Sequence, residues 1–270
     1  MPPIDVRTSE WLTVGFLAYL LAHAVAFGAP RGRIIRLVIL AAACSLPAVA
    51  LGRFGSLSIA QTARDWLPGL YLLLGYWAAG LAYRGPHVAL ENWLRRIDRR
   101  LFAFAGPAIA RGPRLALEAV ELAYLLYYPL VPAGLVALYL CGLRASADAY
   151  WTAVLLAAFA SCAVLPVAGT RPPRALGCEL WIDGRSVLVR RVNCALLDLG
   201  SIQVNTFPSA HAATSAAIAV FLLPLGWMAM PFVIVAAGIG VGAVAGRYHY
   251  ALDVAIGVVI GVLAGLVVRV

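Results

Sequence analysis

Residues 205–253 read NTFPSAHAATSAAIAVFLLPLGWMAMPFVIVAAGIGVGAVAGRYHYALD. Between the polar ends NTFPSAH and GRYHYALD lie about forty mostly apolar residues. A bilayer passage takes roughly 20 such residues, so the stretch reads as two membrane helices that bring its ends back to one face. His211, His249 and Asp253 stand beside those helices, where an ionisable side chain is expensive unless it has a use. His249 and Asp253 are four residues apart and share one face if the segment is helical. Asp253 can then hold one ring nitrogen of His249 and leave the other free to attack. Pro208 suits a helix start. The first N–H groups there, at Ser209, Ala210 and His211, would point outward and attract an anion, phosphate above all.

The rest of the chain agrees with a membrane reading. Of 270 residues, 63% are hydrophobic and 12% charged, and the mean hydropathy is +0.89; a soluble domain is about half apolar and a quarter charged. The fold class expected is all-α, a polytopic membrane helical bundle. Helices are expected near 11–29, 34–51, 66–83, 115–141, 149–168, 208–225, 227–245 and 250–269. They divide into an N-terminal transmembrane hairpin, 1–55, and a six-helix core, 56–270. The start MPPIDVRTSE has no basic region and no small-residue cleavage site, so no removable signal peptide is expected. The net charge is +9, carried by arginine with no lysine. That fits a high-GC genome, or an arginine-lined anion site if the positions converge. No basic aromatic platform lies outside the membrane segments, which disfavours nucleic acid as a partner. His23, in the first helix, reads as a buried polar residue bonded to a neighbour.

The stretch HVALENWLRRIDRRLFAF, near 88–105, repeats Leu90, Leu94, Ile97, Leu101 and Phe104 at helical spacing, with Arg95, Arg96, Arg99 and Arg100 on other faces. It reads as an interfacial amphipathic helix. In the fourth membrane helix, Glu121, Tyr124 and Tyr128 fall on one face. They line a headgroup pocket together with Asn205, or make interhelical hydrogen bonds. Two prolines end the fifth helix beside Arg171 and Arg174. A surface loop is expected from there to Val204, with Cys178 and Cys194 able to pair if it is extracytoplasmic; Cys44, Cys141 and Cys162 read as small apolar residues. Glycines at four-residue steps, Gly238, Gly242 and Gly246, then Gly257, Gly261 and Gly265, permit close helix packing.

These residues resemble the type 2 phosphatidic acid phosphatase superfamily. Its three motifs are a basic stretch ending Arg-Pro, then Pro-Ser-Gly-His, then Ser-Arg followed by His-x-x-x-Asp. Here they resemble Arg171-Pro172, Pro208-Ser209-Ala210-His211 and His249-Tyr250-Ala251-Leu252-Asp253, in the same order and on one membrane face. The likeness covers about the C-terminal 200 residues. The departures are definite. The basic residue expected seven before Arg171 is Val164. The Ser-Arg pair falls on Gly242-Ala243, with Arg247 available to replace the missing arginine. Ala210 replaces glycine; an apolar residue in that place and the HYxxD form resemble the branch that includes inositol phosphorylceramide synthases. The resemblance implies a metal-independent, cofactor-free enzyme that removes phosphate from a membrane lipid phosphate or a prenyl or lipid pyrophosphate. His249 would be the nucleophile, oriented by Asp253, with His211 the general acid. Arg171, Arg247, Ser209 and Arg174 would hold the phosphate oxygens. A phosphotransferase moving a headgroup to an alcohol is the alternative within the family.

Two other classes compete. Two histidines and an aspartate could bind a divalent ion, although arginines and a phosphate-type helix start argue against it. A proton-coupled transporter would use the same ionisable groups, but no broken helix pair or inverted repeat is evident. Orientation is contested. The site is expected in a bacterial plasma membrane. Helix counting places Arg7, Arg53, Arg64, Arg144 and Arg269 opposite the site and the other sixteen arginines with it. The positive-inside rule would make the site cytoplasmic. The family's usual placement and the cysteine pair favour the extracytoplasmic face, which is the expectation adopted.

Overall fold

The computed structural model describes residues 6–53, 58–103, 109, 111–176, 187–204 and 207–269. Among them every long element is an α-helix and there is no strand. In chain order these are α1 (Thr8–Ala26), α2 (Arg31–Arg53), α3 (Ser58–Ala82), α4 (Val88–Leu101), α5 (Arg114–Leu125), α6 (Tyr127–Leu140), α7 (Ala147–Cys162), α8 (Leu188–Gly200), α9 (Ala210–Leu222), α10 (Met230–Ala245) and α11 (Ala251–Val268). The molecule is an all-α polytopic bundle.

Against eight expected spans, five helical stretches among the described residues are long and apolar enough, or six if α5 and α6 count as one. Two features account for the difference. Residues 210–245 form one apolar stretch, but the chain folds at Gly226, whose φ is +65°, and α9 packs on α10. The second feature is α3, whose apolar run is diluted by Asp65, Trp66, Pro68, Tyr71, Tyr76 and Trp77. The fourth expected helix is broken: α5 and α6 meet at 53°. Pro129 cannot donate to the carbonyl of Leu125, which removes a helical hydrogen bond at the bend. The absence of a broken helix pair, expected from the sequence, is therefore corrected.

The expected loop before Val204 also contains a helix, α8. Its apolar residues Leu188, Val192, Leu196 and Leu199 are exposed, while Asn193 and Leu197 are buried. Interleaved arginines obscure this periodicity. Cys194 on α8 is a free thiol; Cys178 lies outside the described residues. His23 differs from expectation as well. Its ring packs 4.4 Å from that of Phe27, and among the described residues neither ring nitrogen has a hydrogen-bond partner.

The centre of the bundle is the contact of α9, α11 and α7. Glycines make it possible. A Cβ on Gly257 would lie 2.5 Å from the carbonyl oxygen of Ser209, and one on Gly261 would collide with that of Ala213. The other stripe serves a different neighbour: a Cβ on Gly242 would lie 2.7 Å from the Val120 carbonyl oxygen of α5. At one end of the bundle the charges pair with each other. Arg64 donates to Glu10 at 2.6 and 2.7 Å, and Asp65 receives Arg7 at 2.7 Å and Arg144 at 2.8 Å. The histidines and α4 occupy the other end.

Gly261→Ala forces α9 and α11 apart and should cost about 1–3 kcal/mol, the range for overpacking. Gly15, with open space around it, is the control. Thermal unfolding in detergent should show a lowered midpoint for Gly261→Ala and none for Gly15→Ala.

Candidate active site

Ser209 is the N-cap of α9, and its hydroxyl accepts from the Ala212 amide at 3.4 Å. That role suits serine, because a helix start leaves its first N–H groups without intrahelical partners. Pro208 therefore precedes the cap rather than opening the helix. The Ser209 amide is engaged too, donating to the Asp253 carbonyl at 3.0 Å. This bond ties the start of α9 to the first turn of α11. His211 follows one residue into α9, half-buried.

His249 lies in the turn before α11, not on a helix with Asp253 as expected. The turn into α11 still brings them together: His249 Nδ1 is 3.5 Å from Asp253 Oδ2. The amides of Tyr248 and His249 both donate to the Ala243 carbonyl, at 2.9 and 3.0 Å, so the turn folds back on the end of α10. The rings of His211 and His249 are 5.7 Å apart. The two expected motifs thus converge.

The four phosphate-binding candidates are placed differently from one another. Arg171 forms a two-pronged pair with Glu91 of α4, at 2.7 and 3.0 Å, and its amide donates to the same carboxylate at 3.1 Å. Arg247, buried and at φ +61°, donates to Asp98 of α4 at 2.7 Å. The other oxygen of Asp98 accepts from the Ala251 amide at 3.0 Å, capping α11. Ser209 is buried in its capping role. Arg174 lies over the Tyr248 ring, 5.4 Å from its centroid, and lines a small niche with His211, His249, Tyr76, Tyr124 and Pro172. Among the described residues, it is the expected arginine that faces both histidines.

Glu121 is buried and accepts from Arg190 at 2.7 Å, Asn193 at 2.8 Å and the Tyr248 hydroxyl at 2.5 Å. It is thus a support beneath the niche rather than part of its lining. Burial, reinforced by the Glu121 carboxylate, pushes the Tyr248 phenol up, which keeps it a donor. Tyr248 stacks on Tyr124 with centroids 4.1 Å apart, and Tyr124 lies 5.3 Å from His211. Tyr128, on the far side of the helix break, does not share a face with Glu121 and Tyr124. Its neighbour Tyr127, which no motif marks, comes within 4.2 Å of His211. Asn205 lies outside the described residues. Sequence reasoning also misses Glu91 and Asp98. They are the carboxylates among the arginines of 88–105, seven residues apart, and that spacing is the signal that could have found them.

A cavity of about 540 Å³ adjoins the niche. Tyr127, Tyr128, Trp151, Phe159, Leu197 and His211 are among its walls, and the lining is overwhelmingly apolar. His211, Tyr76, Leu197 and Ser201 border both spaces. Among the described residues no group of three His, Cys, Asp or Glu is arranged to hold a metal ion.

Residues 177–270 match the model of the PAP2 superfamily, the family that the motifs resemble. The match takes in both histidine motifs and leaves Arg171-Pro172 just outside. It indicates a phosphatase-type membrane enzyme. Comparison with curated proteins and with solved structures gives no match.

The Glu91 carboxyl titrates in a definite direction. Burial alone would raise it, but the Arg171 guanidinium and amide outweigh burial and hold it below the usual carboxylate range. A carboxyl depressed in the folded state stabilises above its unfolded value of ~4.3, and that stabilisation is lost as pH falls through the folded value. Stability measured against pH should therefore fall on acidification below about 4, and less steeply in Glu91→Gln.

Proposed function

We propose that the protein is a metal-independent enzyme that breaks the P–O bond of a membrane lipid phosphate or lipid pyrophosphate through a phosphohistidine. The observation that carries this reading is the placement of His211 and His249, beside Arg174, where the polar niche meets the apolar cavity. An apolar tail fits the cavity while its phosphate reaches the histidines. The PAP2 match supports the phosphatase class.

In the first half-reaction the His249 nitrogen turned away from Asp253 attacks phosphorus. The bond to the leaving oxygen breaks with its electron pair, and His211 donates the proton that oxygen needs. Asp253 orients the imidazole and offsets the positive charge it gains. In the second half, His211 takes a proton from water as its oxygen attacks phosphorus. The P–N bond breaks and its pair returns to His249. Arg174 balances charge on the phosphoryl oxygens, where it concentrates in the transition state. Arg171 and Arg247, each bound to a carboxylate of α4, act in this scheme by fixing the two motif segments. An alcohol in place of water would make the enzyme a phosphotransferase; Ala210 and the HYALD form favour testing that acceptor. In this proposal the site faces the extracytoplasmic side, which rests on the resemblance to the family alone, since Cys194 is a free thiol.

His249→Ala should abolish turnover and trapping of a phosphoprotein from ³²P-labelled lipid phosphate. Retention of a tenth of the activity would remove His249 from the nucleophile role. His211→Ala should slow release from an alkyl phosphate by ~10²–10⁴-fold and affect p-nitrophenyl phosphate less, because its leaving group needs no proton. Arg174→Ala should weaken vanadate inhibition. Phosphate release that persists in EDTA separates this reading from a metalloenzyme, and a transporter would release none.

A further inference from the structure

The two faces of α4 do different things. Glu91, Leu94 and Asp98 form its buried face. Through them α4 grips Arg171 at 2.7 Å, Arg247 at 2.7 Å and the Ala251 amide at 3.0 Å. Its N-terminus is tied down as well, by the His87 amide donating to the Gly169 carbonyl at 2.8 Å. On the opposite side of the helix, Trp93, Arg96 and Arg100 are exposed, with Arg99 flanking them. The spacing 93, 96, 100 keeps these three on one face. The helix packs across the start of α11, a helix long and apolar enough to span a membrane, so this cationic face stands at one end of the bundle. A tryptophan beside arginines is the composition that anchors a helix at a lipid surface.

We propose that the outer face of α4 binds anionic phospholipid head groups through Arg96 and Arg100, and that this binding steadies the turn carrying His249. Charge complementarity selects the occupant, because phosphate and carboxylate head groups match guanidinium donors. A zwitterionic surface offers no net attraction. The transmission is mechanical and short. Asp98 of the same helix holds both Arg247 and Ala251, which flank His249 at two residues' distance on either side. A lipid that keeps α4 seated therefore keeps both ends of that turn fixed.

The test reads amide hydrogen exchange, so it does not depend on turnover or on the proposed reaction. The full chain is reconstituted in vesicles of phosphatidylcholine alone or with a third phosphatidylglycerol. A basic residue near an anionic surface is worth about 1 kcal/mol, so two arginines should slow local opening by about thirtyfold. That slowing is expected across residues 88–101 and again across 247–253. It should fade in high salt and be lost in the Arg96→Gln/Arg100→Gln variant. Equal exchange in the two vesicle types would overturn the proposal, as would an unchanged response in the double variant. Slowing confined to 88–101 would overturn the transmission to His249. The same protection from inorganic phosphate added to phosphatidylcholine vesicles would overturn the lipid as ligand. Asp98→Asn provides a separate check: it should keep the response of 88–101 and lose that of 247–253.

Discussion

The bond from the Ser209 amide to the Asp253 carbonyl, 3.0 Å long, is the joint on which this site depends. It forms only because α9 and α11 come close enough for a glycine to rest on a carbonyl, at Gly257 over Ser209 and Gly261 over Ala213. Without a strong hydrophobic force between helices in lipid, such close packing supplies much of the association energy. The contact has a functional consequence. It places the first turn of α9, with His211, against the first turn of α11, with Asp253. His249 reaches its place because the chain leaving α10 folds back onto the Ala243 carbonyl. The helix packing and the distance between the histidines thus have one cause.

The charges at this end follow a second logic. Arginines are costly near hydrocarbon, and Arg171 and Arg247 each find a carboxylate on α4. Such pairs are weak contributors to net stability, since desolvation cancels much of the attraction. Removing one partner is nevertheless costly, because it strands the other. Their clearer effect is positional. Glu91 fixes the chain after α7, and Asp98 fixes the turn before α11, so one surface helix aligns two segments that are distant in sequence. Arg174 is left to face the niche, on the ring of Tyr248. The Gly242-Ala243 departure fits the same picture. A side chain at 242 has no room against α5, so the larger polar residue of the motif would push α10 and α5 apart here.

Much of the fold is legible in the chain itself. Hydropathy alone indicates the all-α membrane bundle, because a span must satisfy its backbone internally and cover about 30 Å of hydrocarbon. The local spacing of PSAH and HYALD marks the candidate reacting residues, and the apolar stretch between them requires both to return to one face. The amphipathic period of 88–105 marks α4. Local pattern does not reveal the break at Leu126, where Pro129 interrupts a run that is apolar on both sides. Nor does it reveal α8, where Leu188, Val192, Leu196 and Leu199 point outward and polar Asn193 points in.

What only the tertiary structure decided is which arginine goes where. Arg171, Arg174 and Arg247 are equivalent in charge and all lie beside a motif, so no local pattern separates them. Their assignments come from carboxylates 80 residues away for Arg171 and 149 for Arg247, brought near by the packing of α4 across the start of α11 and against the segment that follows α7. The sequence determined the chemistry available at this membrane face: two histidines, an aspartate and a set of guanidinium groups. The fold determined which groups neutralise one another and which remain turned toward the niche. Pairing energies depend on distance and burial, and those exist only once the helices have met.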